Sequence, residues 1–221
     1  MNTMSRTRID PLTETIGGIR PPDSKLAREA IELARLVSSP MLFNHVMRCY
    51  LFAELRARME LSSYDREVVL VSLVLHDLGL TDHAQGPRRF EIEGADVARD
   101  FVLARGYSTE KAWLVWDNIA LHPLDLNAYK EPEAKAVEWG ICADVLGLGL
   151  DQMAPAAVRE ILAAYPRLDL KRGLFGLLRD EAAKKPHSHL FHPTTMVAHH
   201  CLGGVEIPDA QALMNAAPFD G

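Results

Sequence analysis

The segment Arg66–Gly79, REVVLVSLVLHDLG, sets the tightest limit on how this 221-residue chain can fold. Its middle is an unbroken apolar run, which belongs in the interior whether it is strand or helix. The run ends in an adjacent His76–Asp77 pair. Burying an imidazole and a carboxylate costs several kcal/mol unless each is paired or bound. The rest of the chain must supply partners for both, or for a third group that both hold.

Taken alone, VVLVSLVL is β-branched enough for a buried strand. Helical patterns flank it on both sides, however, and no other segment offers a convincing strand partner. The expectation is a helix that is apolar nearly all round, and therefore central. Upstream, Asp23 or Ser24 can cap KLAREAIELARLV, in which Leu26, Ala30, Leu33 and Val37 recur at helical spacing. After Pro40, MLFNHVMRCYLFAELRARM reads as a long helix. Downstream come GADVARDFVLAR, stopped by Gly106, and STEKAWLVWDNIALH, ended by Pro123. EPEAKAVEWGICADVLG follows, with Pro132 suited to its first turn. AAVREILAAY, DLKRGLFGLLRDEAAKK and a short helix from about Thr194 complete the pattern. Residues 1–23, broken at Gly17–Gly18 and Pro21–Pro22, read as an irregular arm. The fold class predicted is all-α, a bundle of about eight helices in one domain over residues 24–221.

A net charge of −6 and a pI of about 5.8 argue against a nucleic acid polymer as partner, since phosphate binding needs a basic face. No apolar run reaches the roughly 18 residues of a membrane span, and residues 1–23 lack the apolar core of a signal peptide. Cys49, Cys142 and Cys201 are scattered, as in a chain kept reduced. These features predict a cytoplasmic protein with a small-molecule substrate and no membrane partner; a homo-oligomer is left open.

Three further polar residues sit in apolar helical text: His45 in LFNHVMRCYLF, His122 at the end of WDNIALHP, and Asp144 in GICADVLGL. Each has an ordinary structural explanation, a hydrogen-bonded core histidine or the partner of an arginine. Asp, though, has low helix propensity and is rarely buried unpaired. Together, His45, His76, Asp77 and Asp144 make a mixed nitrogen–oxygen set suited to one divalent first-row ion, zinc first, with Fe, Mn, Co or Ni as alternatives. Four protein ligands leave an octahedral ion with open positions, as in a catalytic site.

The ordered set His45, His76–Asp77, Asp144 resembles the HD-domain superfamily of metal-dependent hydrolases. The surrounding text, LHDLGLT, RRFEIEGADVARDFV, WDNIALHP and EWGICADVLGLG, is similar to its cyanamide hydratase-like branch. The resemblance covers roughly residues 40–150. It implies an all-α HD-type bundle around a metal, with His45, His76, Asp77 and Asp144 matching the ligand pattern. The His–His doublet that precedes the final Asp in binuclear phosphodiesterases is missing, which favours a single ion. His83 and His122 are then read as acid–base groups, with Asp77 able to take a proton from water. The ion would lower the pKa of its water towards about 7, for attack on an electrophilic centre.

The implied reaction is hydration of cyanamide to urea. The first alternative is an HD-type phosphohydrolase of a nucleotide or other phosphate ester, with Arg88 and Arg89 binding substrate. The second is a non-catalytic, metal-stabilised regulatory module. A small, closed, apolar pocket would favour cyanamide, and a wide one lined by Arg88 or Arg89 a phosphate ester. Glu91 and Glu93 open the helix after this loop, where carboxylates suit the positive helix end. His187, His189, His192, His199 and His200 are expected at a surface or interface.

Overall fold

The computed structural model describes residues 14–124, 126–185 and 192–203. Its α-helices are α1 (Lys25–Val37), α2 (Pro40–Glu60), α3 (Arg66–Leu75), α4 (Phe90–Leu103), α5 (Thr109–Ala120), α6 (Pro132–Leu146), α7 (Pro155–Ala164), α8 (Leu170–Lys184) and α9 (Pro193–Leu202). The all-α fold is as the periodicity predicts: among the described residues the only β-type pairing is an isolated bridge between Ile16 and Ile19. That bridge closes a tight turn over Gly17 and Gly18, both at positive φ, and both isoleucines are buried. Part of the predicted arm therefore packs into the core; residues 1–13 lie outside the described residues.

Helix boundaries follow local chemistry. Ser24, Ser39, Asp65 and Ser108 accept hydrogen bonds from backbone N–H groups at the starts of α1, α2, α3 and α5. Pro40, Pro132, Pro155 and Pro193 occupy first-turn positions, where a missing N–H costs nothing. Gly147 closes α6 in the left-handed conformation.

The segment of doubtful secondary structure is α3, and it is the axis of the molecule. Every residue from Val68 to Leu75 is buried. Helices α1, α2, α5 and α6 all pack against it. Asn118 of α5 donates a hydrogen bond to Ser72 at 3.1 Å, which satisfies the one hydroxyl in the run. No helix of the described residues is long and apolar enough to cross a membrane.

Two glycines set the spacing around the axis. A Cβ on Gly79 would lie 1.8 Å from the Phe90 carbonyl oxygen, so only glycine lets α4 start against the end of α3. A Cβ on Gly140 would lie 2.3 Å from the Cys49 carbonyl oxygen, where α6 crosses α2. That crossing brings the His45 and Asp144 side chains together.

Candidate metal centre and its cavity

The last turn of α3 delivers His76 and Asp77. His76 keeps helical backbone angles (φ −62°, ψ −31°), while Asp77 turns out of them (φ −100°, ψ 15°) into a 3-10 turn over Leu78–Leu80. This change at the helix end lets two neighbouring side chains converge, since adjacent helical residues otherwise point about 100° apart. His76 Nε2 lies 3.4 Å from Asp77 Oδ2. His45, from the middle of α2, places its Nε2 3.5 Å from the same oxygen. His122, in the turn after α5, stands with its ring centroid 5.0 Å from that of His76. His45, His76 and Asp77 are 1–4% exposed, so water screens them little.

The three histidines share one orientation. His45 Nδ1 lies 2.7 Å from Asp144 Oδ2, His76 Nδ1 2.7 Å from the Leu73 carbonyl, and His122 Nδ1 2.6 Å from the Ile119 carbonyl. A carboxylate or carbonyl oxygen can only accept, so each Nδ1 carries a proton, and a ring that is neutral has its lone pair on Nε2. Metal-ligating histidines are held in the same way by outer partners. Burial holds His76 down to about 4 against the opposing charge of Asp77, and lowers His122 as well, so both rings are neutral at pH 7. Asp77 Oδ2 is buried and accepts no hydrogen bond. The Nε2 lone pair of neutral His76 thus faces a carboxylate oxygen with no donor between them, and a cation fits that arrangement. His76, Asp77 and His122 can bring one ligand atom each within 4.8 Å of one another.

A second set of the same kind, His45, Cys49 and His76, fits less well. Burial, reinforced by Asp144, pushes the Cys49 thiol well above its usual pKa, whereas a metal needs the thiolate.

Asp144 is engaged differently from the other acid. Arg48, fully buried one turn after His45, donates from Nε to Oδ1 at 2.7 Å and from Nη2 to Oδ2 at 2.8 Å. Arg167 Nη1 adds contacts to Oδ1 at 3.2 Å and to the Asp144 carbonyl at 2.8 Å. Burial alone would raise the Asp144 pKa, but the hydrogen bonds from His45 and Arg48 outweigh it and hold the carboxyl at about 2. Both oxygens are occupied by cationic or N–H donors, and Asp144 orients His45.

The remaining sequence candidates lie apart from this cluster. His83 is exposed on a 3-10 turn over Asp82–Ala84. Arg88 Nη2 binds Glu93 at 2.9 Å and Asp96 at 2.6 Å, and Arg89 Nε lies 2.9 Å from Glu91 Oε1. None of the three faces the cavity beside the cluster. His199 and His200 are on α9, where the His200 ring meets Phe175 at 6.1 Å between centroids. His187 and His189 lie outside the described residues.

Two residues at this site carry roles that helical spacing does not reveal. His192 caps α9: its Nδ1 accepts a hydrogen bond from the Thr194 N–H at 3.2 Å. The tautomer is therefore the reverse of the other three, with the proton on Nε2, 3.2 Å from Glu91 Oε1. Burial would raise the Glu91 pKa, but His192 keeps the carboxyl below its ordinary value. Phe90 stands between this pair and the cluster, with ring centroids 5.9 Å from His122 and 6.5 Å from His192. His192, expected at a surface or interface, is instead buried, because the start of α9 meets Phe90 and Glu91 at the start of α4. His45, His76, Asp77, His122 and His192 all border a cavity of about 520 Å³.

Fold and site together define an all-α domain built around a buried histidine–aspartate cluster suited to a divalent cation. No family model matches the chain. It is 26% identical over 177 residues to the cyanamide hydratases DDI2 and DDI3 of Saccharomyces cerevisiae, an alignment covering 77% of this chain and 79% of each relative. The chain is thus similar in sequence to these two cyanamide hydratases over most of its length.

Proposed function

We propose that the protein is a metal-dependent enzyme that adds water to a C≡N group, as cyanamide hydratases do. The observation that carries this reading is the Asp77 oxygen without a donor, faced by an imidazole lone pair in a dry cluster, in a chain similar to two cyanamide hydratases. His76, Asp77 and His122 would hold the ion, with His45 as fourth ligand. Asp144 and Arg48 would act behind His45. Zinc suits three imidazoles and a carboxylate; Fe, Mn, Co and Ni are accepted by the same donors.

When bound, the ion supplies Lewis acidity that makes a nucleophile available from water near neutral pH. The chain's own residues do the rest. The Asp77 carboxylate accepts the proton released as water attacks. The His192 Nε2–H would donate a hydrogen bond to the nitrogen that gains negative charge, and the proton taken up by Asp77 passes to that nitrogen. Phe90 and Pro123 line the cavity next to His122 and keep bulk water off the reacting carbon. Overall the oxygen of water becomes doubly bonded to carbon, both C–N π bonds are lost, and both hydrogens of water end on the terminal nitrogen, giving a urea.

The phosphohydrolase reading is less well supported. The cavity is wide, but Arg88 is engaged by Glu93 and Asp96 and Arg89 by Glu91, and among the described residues no lysine or arginine lines it. The regulatory reading leaves the cavity beside the cluster without a purpose. The test is urea release from cyanamide by protein loaded in turn with each candidate metal. Turnover with at least one supports the reading; no turnover with any, by protein shown to carry the metal, contradicts it.

A further inference from the structure

The cavity is far larger than cyanamide requires. Cyanamide has three non-hydrogen atoms, and the volume share of one water is about 30 Å³. A cavity of about 520 Å³ lies in the range of roughly 300–1,000 Å³ typical of sites for much bigger ligands. Its chemistry changes sharply with distance from the cluster. The histidines and Asp77 mark the metal-facing end, and Glu138 and Cys142 add polar groups from α6. The rest of the lining is dominated by two aliphatic ridges at i, i+4 spacing, Ile141 and Val145 on α6 and Leu174 and Leu178 on α8. At the rim, Leu146 and Leu148 are 67% and 55% exposed although both border the opening. A site evolved only for a small, strongly hydrated molecule gains nothing from such a chamber.

We infer that the substrate class is an organic cyanamide or nitrile bearing an apolar substituent, with the C≡N group at the histidine–aspartate cluster and the substituent between the α6 and α8 ridges. This rests on the hydration reading for the identity of the reacting group. The apolar chamber itself does not depend on that reading. For a monosubstituted cyanamide, water's oxygen bonds to the nitrile carbon and its two hydrogens pass to the terminal nitrogen. The product is a monosubstituted urea, and the substituent keeps its bond throughout. Among the described residues no lysine or arginine lines the chamber, and Glu138 contributes a carboxylate, so an anionic substituent is disfavoured.

The test separates chamber from chemistry. Calorimetric titration with urea, then methyl-, n-butyl- and n-hexylurea, measures binding of product analogues without any reaction. Affinity is expected to rise by up to about fourfold per methylene, the transfer free energy of one buried CH₂, until the chamber is full. Leu178→Trp, which fills the chamber, and Leu178→Ser, which wets it and replaces a half-buried side chain, should each flatten that dependence. In parallel, turnover of cyanamide and of N-hexylcyanamide is measured. A higher kcat/KM for N-hexylcyanamide, falling relative to cyanamide in Leu178→Trp, supports the inference. Affinity independent of chain length, with cyanamide turned over, overturns the inference and leaves the hydration reading intact. Chain-length-dependent binding with neither compound hydrated overturns the hydration reading and the assignment of C≡N, while the apolar chamber stands.

Discussion

At the scale of single residues, the centre depends on which atoms already have partners. Asp144 has its oxygens occupied by Arg48 and His45, whereas Asp77 Oδ2 accepts nothing. Removing Arg48 would strand a buried carboxylate, and breaking such a pair costs about 3–5 kcal/mol. Arg48→Ala should therefore lower the free energy of unfolding by that amount in a urea titration, with loss of metal following from the displaced His45. Because Asp144 acts through His45, Asp144→Asn should weaken metal binding about 10- to 100-fold, the usual effect of losing an outer partner; complete loss would make it a direct ligand. His192→Asn keeps a side chain able to cap α9 but removes the imidazole Nε2–H that would face the substrate nitrogen. It should retain metal and helix content and lose at least about tenfold in kcat, with little change in KM. His45, His76 and Asp77 were legible because polar residues in apolar helical text demand a partner. The meeting of His192 with Glu91 was not, since a cap and a helix N-terminus each explain one of them alone.

At the scale of elements, the sequence pattern showed which segments are helical better than it showed what their ends do. The apolar run of α3 was readable as a central helix, and the prolines and caps placed most boundaries within a few residues. What the pattern could not show is the crossing of α2 and α6 at Gly140, where a long-range contact decides that Asp144 meets Arg48. The loop after the His–Asp pair was misleading for a related reason. Its arginines look available to a phosphate, yet α4 turns Glu93 and Asp96 towards Arg88. Arg88→Ala should cost at most about 1 kcal/mol, as its partly exposed ion pairs are screened. Arg88 holds the Glu93 carboxyl below its usual pKa, and Asp96 is lowered too, its hydrogen bonds outweighing burial. Their contribution is thus complete above the unfolded carboxyl range near pH 4 and is lost as pH falls through the lowered folded values. The stability gap between wild type and Arg88→Ala should be largest near neutrality and shrink in acid. Gly79→Ala should be far more costly, by at least about 1–3 kcal/mol, because its Cβ meets backbone that cannot yield locally.

At the scale of the whole molecule, one buried helix carries two polar groups into the centre of the bundle, and α2, α5 and α6 pack against it to complete the cluster. Helix α2 brings His45, α5 brings His122, and α6 and α8 enclose the apolar space beyond them. The central claim is that His76 and Asp77 converge to hold a cation. Elemental analysis of purified protein, loaded with Zn, Fe, Mn, Co or Ni and then desalted, tests it most directly. The account predicts close to one equivalent of one of these metals per chain in wild type and in Lys171→Ala, an exposed position on α8, and none in folded His76→Ala or Asp77→Ala. Wild-type protein that retains no metal under any loading condition, or a folded His76→Ala variant that retains it fully, would contradict it.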